Sequence, residues 1–375
     1  MDDFWPVESA PAVRLHSLLA EFAEGECAVL GGATEMPAEA HSDWHLIVHR
    51  RSNHPAMLLL LVLRLLLRLV YMAGTHPYKA VIISVPKYEL LAAALFLRLI
   101  GVPLVIDVRD TLEFLDYNAY LGKYLPRAVA SPLARLARWL SDGIRQYALR
   151  TARLVTAANP AILAAVSEVN ANACLVSNGV DTDHFTPLSG RTAGKILELV
   201  FVGNFSEKDD FSWISQAAAK FRGQVRLNLI GNGRHKRHVL STLEGQVDFR
   251  DFGSLSHADL PRVLQEMDLG FIFRDPSVCA SVPVSIYELC AMNIPVICND
   301  AGIMAAFVRE HKLGFVAGSA GETAALLENL TLNRTLLQAY GHLHAYAAEH
   351  FSRQAQARRF RGALLEPGEL AKSVL

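Results

Sequence analysis

The chain has 375 residues, with 36 Lys and Arg against 37 Asp and Glu, so its formal net charge of -1 builds in no global attraction to nucleic acid. At 51% hydrophobic and 19% charged residues it is apolar enough for sizeable cores, and its length suggests two or three domains. Five scattered cysteines, Cys27, Cys174, Cys279, Cys290 and Cys298, stand mostly in apolar runs and read as small core residues of a reducing compartment, not as a disulfide frame or a zinc site.

Residues 1–11 hold neither a signal peptide nor the buried strand that normally opens a doubly wound domain. Residues 12–22 are expected to form an amphipathic helix carrying Arg14. Short strands are predicted at 27–30 and 44–48. Residues 57–72 form a helix too short for a bilayer, with Arg64 and Arg68 four apart on one face. Two readings stand: a core helix with a basic edge, or a helix lying on anionic lipid.

A buried strand at 80–84 runs into Val85-Pro86-Lys87, and a helix at 88–100 is closed by Gly101. Residues 104–107 are the next strand. Strands alternating with helices argue for a parallel sheet covered on both faces, with ligands at the carboxyl ends of the strands. Lys87, Arg109 and Asp110 fall at such ends. Residues 125–153 form a long basic helix with Arg127, Arg135, Arg138, Arg145, Arg150 and Arg153 beside Leu133, Leu136, Trp139 and Leu140. A domain-covering helix and a membrane-surface helix are both compatible with it. Asn178-Gly179 marks a turn and Pro187 stiffens a linker, which puts a domain boundary near Leu188.

The second half opens with a strand at 197–202 that ends in Gly203-Asn204-Phe205-Ser206-Glu207-Lys208. Gly203 lets backbone approach a ligand, and Lys208 is a point charge suited to phosphate. A strand at 225–230 leads to Gly231-Asn232-Gly233, then Arg234 and Lys236. No third glycine stands at 236, so a dinucleotide fingerprint is not met. Residues 283–292 form a helix, with Pro283 in the first turn and Ser281 or Ser285 as cap. Ile286, Leu289 and Cys290 face the core, and a buried strand comes next at 296–298. The helix amino end suits a diphosphate, and Glu288, one turn in, suits a ribose diol. The plainer reading is an amphipathic core helix with a solvated Glu288.

The run Pro283-Val284-Ser285-Ile286-Tyr287-Glu288-Leu289-Cys290-Ala291-Met292-Asn293-Ile294-Pro295-Val296-Ile297 resembles the donor motif of the retaining glycosyltransferases with the GT-B fold, family 4 in particular. The run Val105-Ile106-Asp107-Val108-Arg109-Asp110 resembles that family's acceptor-side segment. Asn178-Gly179-Val180-Asp181 with Phe185-Thr186-Pro187 after it resembles the family's exit from the amino domain. Residues 247–249 and 252–255 resemble its nucleobase segment, and 302–307 and 313–316 its closing strands.

The resemblance implies two doubly wound α/β domains facing across a cleft: 1–188 for the acceptor, 189–350 for the nucleotide sugar, and 351–375 as a helix returning to the first. It implies a UDP- or GDP-sugar donor held by Gly203, Asn204, Lys208, Ser281, Val282, Pro283, Ser285 and Glu288, with Lys208, Arg109 and Asp110 catalytic; Arg234 or Lys236, just after the next strand, is the candidate cation to compensate for the arginine that Asn204 replaces. It implies no metal or cofactor, and a polysaccharide or lipid-linked glycan acceptor at the inner face of the cell membrane. Three features depart from the family: the first strand is not seen, Asn204 stands for an arginine, and Ala280 stands for a first glutamate. Two other readings are a degenerate GT-B scaffold and a Rossmann oxidoreductase.

Overall fold

In the computed structural model of the protein, the described residues are 10–22, 28–33, 44–48, 55–75, 78–85, 91, 93–109, 121–188, 194–275 and 282–365. The chain divides into two compact units, Met1–Ser177 with Gln356–Leu375, and Asn178–Ala355.

In the first unit, α1 (Ala10–Leu19) precedes a two-stranded parallel sheet of β1 (Val29–Ala33) and β2 (Trp44–Val48). The helix α2 (Pro55–Thr75) comes next. A second parallel sheet pairs β3 (Val81–Val85), β4 (Leu104–Val108), β5 (Leu154–Ala157) and β6 (Ala173–Leu175) in that order. Between these strands run α3 (Ala93–Leu99), α4 (Arg127–Thr151) and α5 (Pro160–Ser167). Every residue of β4 is buried, as a parallel strand covered on both faces requires. Ile106 and Val108 pack with Leu97 and Leu149 on one face, and Val105 with Leu18 and Val176 on the other.

The second unit is a six-stranded parallel sheet of β7 (Leu197–Val202), β8 (Val225–Ile230), β9 (Phe249–Gly253), β10 (Leu269–Ile272), β11 (Val296–Asn299) and β12 (Gly314–Ala317). Its order is β9-β8-β7-β10-β11-β12, the doubly wound arrangement. Alternation along the strands divides the core in two. Leu199, Phe201 and Leu229 face α6 (Ser212–Ala219), α7 (Lys236–Leu243) and α11 (Ala320–Leu332). Val200 and Ile230 face α8 (Leu260–Leu264), α9 (Val284–Ala291), α10 (Gly302–Glu310) and α12 (Leu343–His350).

Three expectations change. Residues 302–307 are helix, not strand: Met304, Ala305, Phe307 and Val308 are buried at helical spacing in α10. Ser285 lies inside α9 and Pro283 is its cap residue, without a side-chain cap. The units divide between Ser177 and Asn178, whereas the linker reading puts the boundary near Leu188. Phe185 is fully buried in the second core and Val180 pairs with Ser352, so this run is packed chain.

The last helix, α13 (Arg353–Leu365), contributes to the first unit from Gln356 onward. Phe360 and Ala363 are buried beside Leu18, Val105, Leu154 and Val176. The Ser177 amide donates to the Gln356 side-chain oxygen at 2.9 Å.

Candidate functional site

In a doubly wound sheet the ligand crevice opens where strand order reverses, at the carboxyl ends of the two strands flanking that point. In the second unit these are β7 and β10. The loops leaving β7 and β8 are laced together. Gly203 N–H donates to Ile230 O at 3.1 Å, Phe205 N–H to Asn232 O at 2.8 Å, and Gly231 N–H to Gly253 O at 2.7 Å. Gly231 has φ +126°, and a Cβ there would lie 1.9 Å from Gly203 O, so only glycine permits this approach.

The β7 loop is also fastened to the end of β10. Asp210 N–H donates to Phe273 O at 3.0 Å, Asp275 N–H to Lys208 O at 2.9 Å, and Arg274 pairs with Asp209 at 3.4 Å. The Ser206 amide and hydroxyl both donate to Asp209 Oδ2. Phe205 is buried against Phe201 and Phe211 and anchors the loop from below.

This lacing holds the backbone at Lys208 while leaving the side chain exposed, with no partner among the described residues. Arg234 is likewise exposed and unpartnered among them. Lys236 is not available: its Nζ donates to Gly231 O at 2.7 Å, pairs with Asp251 at 2.7 Å and sits over the Phe205 ring. Asn204 is exposed, with Oδ1 closing over Gly233.

The helix α9 supplies the other wall. Its first N–H groups, at Val284 and Ser285, have no side-chain cap among the described residues. Val282 and Ser285 are buried and Pro283 half-buried, while Ser281 lies outside the described residues. The helix approaches the sheet closely at Gly270, where a Cβ would stand 2.5 Å from Leu289 Cδ1. Glu288, on the next turn, is half-buried, and its carboxyl has no hydrogen-bond partner among the described residues. Burial pushes this carboxyl from 4.5 up to about 7, although the charges of Arg353 and His184 pull the other way. An acceptor stripped of water and given no donor is poised for hydroxyls brought by a ligand.

Around Glu288 stands a group that sequence reasoning does not single out. His184 Nε2 bonds His257 O at 2.8 Å, and the two rings stack at 4.9 Å over Phe185. Arg353 lies 3.7 Å from Asp181, whose carboxylate also accepts from the His184 amide at 3.2 Å. Burial, then Arg353 and His184, lower the His257 pKa, with Asp181 opposing. The signal is present in Asp181 and His184 beside the Asn-Gly turn, but from sequence that run reads only as a linker.

The residues expected on the acceptor side belong to the first unit. Arg109 comes directly after β4 and is half-buried, and Asp110 lies outside the described residues. The charge that β4 buries is Asp107. Arg14 donates to it at 2.7 and 3.3 Å, Thr156 at 2.8 Å and Ser84 at 2.9 Å. Burial alone would raise the Asp107 pKa, but the charge and hydrogen bonds of Arg14, with those of Thr156 and Ser84, hold it below the usual value. Arg14 also donates to Ser177 O. With four donated hydrogen bonds, Asp107 is a structural anion and has little left for a ligand.

Residues 197–333, from β7 through α11, match the family described as Glycosyl transferases group 1. No curated protein sequence matches the chain. Among solved structures, it is similar to HepE from Anabaena in complex with UDP, at 17% identity over 96% of each chain and a TM-score of 0.65. It is similar to sucrose-phosphate synthase from Thermosynechococcus elongatus, at 15% identity over 94% of this chain and 91% of that one, TM-score 0.64. WaaG, a glycosyltransferase involved in lipopolysaccharide biosynthesis, aligns at 11% identity over 94% and 95%, TM-score 0.58. At such identities the likeness shows the fold, and the fold is GT-B. The family match at residues 197–333 falls wholly within the second unit.

Proposed function

We propose that the protein is a nucleotide-sugar-dependent glycosyltransferase of the hexosyl class, moving a sugar from UDP or GDP to a polysaccharide or lipid-linked glycan with retained anomeric configuration. The observation that carries this is Glu288: a desolvated carboxyl with no donor among the described residues, one turn inside an uncapped helix at the sheet's switch point. A ribose diol would supply the two missing donors. The diphosphate would sit at the Val284 and Ser285 amides, with Lys208 and Arg234 as its cations.

In the transfer, the bond between the sugar and the diphosphate breaks and its electron pair stays on the leaving oxygen. The acceptor oxygen bonds the sugar carbon, and the leaving phosphate takes the acceptor's proton. Lys208, Arg234 and the helix amides are placed to stabilise the charge that builds on the diphosphate. These groups do in this reading what a metal does elsewhere. Arg109 and Asp110 are assigned to orienting the acceptor. HepE was also crystallised with UDP-glucose, which makes UDP the first nucleotide to try.

The test is thermal shift with UDP, GDP and ADP, then release of nucleotide from a panel of sugar nucleotides. One nucleotide should raise the melting point by mass action. Glu288→Ala should weaken its binding roughly 10- to 100-fold, the worth of hydrogen bonds to a charged group. Lys208→Ala should lower turnover more than binding, and EDTA should change neither. If no nucleotide binds, or Glu288→Ala binds as well as the parent, the reading fails. Asn204, where the family has arginine, favours a second reading, a GT-B scaffold that binds nucleotide without turnover; binding without release over the whole panel would select it.

A further inference from the structure

The exposed large apolar side chains are not spread evenly. Among the described residues, all but Leu188, Leu332, Leu336 and Leu365 lie between residues 60 and 140, on α2, α3 and α4 or just beside them. Helix α3 packs against both α2 and α4.

On α2, Leu60, Leu63, Leu67 and Tyr71 recur at helical spacing on the exposed side. Arg64 and Arg68 stand between them, and Arg68 lies over the Tyr71 ring at 5.4 Å. On α3, Leu95 is exposed and Leu99 is 85% exposed, with Arg98 between. The amino half of α4 is the extreme case. From residue 127 to 140 only Ala130 and Ala134 are buried, while Leu133, Leu136 and Leu140 are exposed and Trp139 is 70% exposed. A helix with so thin a buried stripe leaves most of its amino half exposed.

Charge decides what covers these faces. Helices α2 and α3 carry no acidic residue. On α4, Arg127, Arg135, Arg138 and Arg150 are exposed, and its single acid, Asp142, is tied to Arg145 at 2.9 Å. A second copy docking on the same patch would set arginine against arginine across a two-fold axis. An acidic protein would satisfy the charges but not so many leucines. An anionic bilayer satisfies both, with apolar side chains at the acyl boundary and guanidinium groups at the lipid phosphates. No helix among the described residues is long and apolar enough to cross a membrane, so contact is along the surface.

We propose that α2, α3 and the amino half of α4 form a docking surface for an anionic lipid bilayer. This surface belongs to the first unit, and it joins the two basic helices through α3, which sequence gives no reason to include.

The experiment uses the full chain and vesicles of phosphatidylcholine with or without phosphatidylglycerol. The protein should sediment with the anionic vesicles, not with the neutral ones, and salt should release it. Leu136→Ser with Trp139→Ser should lower partitioning roughly tenfold or more, from the apolar area withdrawn. Arg64→Ser with Arg68→Ser should lower it by a similar factor and flatten the salt dependence. All four side chains are exposed, so unchanged circular dichroism and melting point are expected and establish that the variants are folded. Partitioning of both double variants equal to the parent overturns the proposal, as does absence of parent binding. A dimer in sedimentation velocity that Trp139→Ser dissolves, without vesicle binding, overturns it in favour of a second copy. Glu288→Ala should bind vesicles like the parent, which separates failure here from failure of the nucleotide site.

Discussion

A carboxyl that holds its proton to about 7 makes the molecule's behaviour depend on pH in a defined direction. Below 4.5 both folded and unfolded chains carry the proton on Glu288, and the group is neutral in the balance. Between 4.5 and about 7 the unfolded chain releases it and the folded chain keeps it, so the contribution to stability falls as pH rises. Above that range the full penalty stands. Glu288→Gln should therefore equal the parent below the unfolded value and exceed it at about pH 8 by about 1–2 kcal/mol, after discount for half-burial. Denaturant unfolding at several pH values reads this, and a difference constant with pH would contradict it. UDP affinity should rise with pH to about 7 in the parent and stay level in the variant, because the ionised carboxylate is the better acceptor. Asp107 runs the other way: its lowered pKa adds stability that is present above the ordinary carboxylate range and lost as pH falls through the folded value. Asp107→Asn leaves buried Arg14 without its counter-charge and should cost about 3–5 kcal/mol near neutral pH, measured by urea titration. Glu288 is legible in the sequence because a helix start, a core stripe and a carboxylate one turn in lie within a single short run. The Arg14–Asp107 pair is not, since its partners come from distant segments.

At the scale of elements, the site depends on how near α9 comes to β10. Gly270 sets that distance, and a methyl group there would meet Leu289 at 2.5 Å and Val296 at 3.1 Å. Gly270→Ala should destabilise the second unit by about 1–3 kcal/mol and weaken nucleotide binding through displacement of the helix amides. Shrinking the opposing side chain should relieve the clash: Gly270→Ala with Leu289→Ala should be less costly than the two single effects added, a coupling of about 1 kcal/mol or more in a double-mutant cycle. Strict additivity would show that the helix does not bear on this glycine. The strands β7 and β8 are legible to the residue, because each is mostly apolar, broken only by Glu198 in one and by Arg226 and Asn228 in the other, and each is ended by a glycine, Gly203 or Gly231. Residues 302–307 read as a closing strand and fold as a helix. So short a run cannot separate a helical period from a buried strand, and the pattern resolves only when Val308 is included.

For the molecule as a whole, the two parallel sheets and the doubly wound order of the second agree with the alternation of strands and helices in the sequence, and the structural neighbours carry the same fold. The basic helices are legible as elements, whereas the faces they leave exposed emerge only with burial, since sequence cannot say which side of an apolar helix the domain claims. The Asn-Gly turn is plain in the sequence, but its burial beside Phe351 rests on contacts made far along the chain. The first unit is discontinuous: its core needs Phe360 from α13. Phe360→Ala should cost about 3–5 kcal/mol. In calorimetry it should lower the melting of the first unit, whose core it completes; an unchanged melting profile would contradict that role. The same discontinuity sets an order of events on the ribosome. The first unit starts to emerge before the other, yet the hydrophobic groove awaiting α13 stays open while residues 178–355 are being translated. At ordinary elongation speeds that delay is roughly 10–35 s. The nascent protein therefore carries an uncovered patch of sheet for much of its synthesis, and chaperone demand should peak at this stage and drop once residue 360 is free to dock.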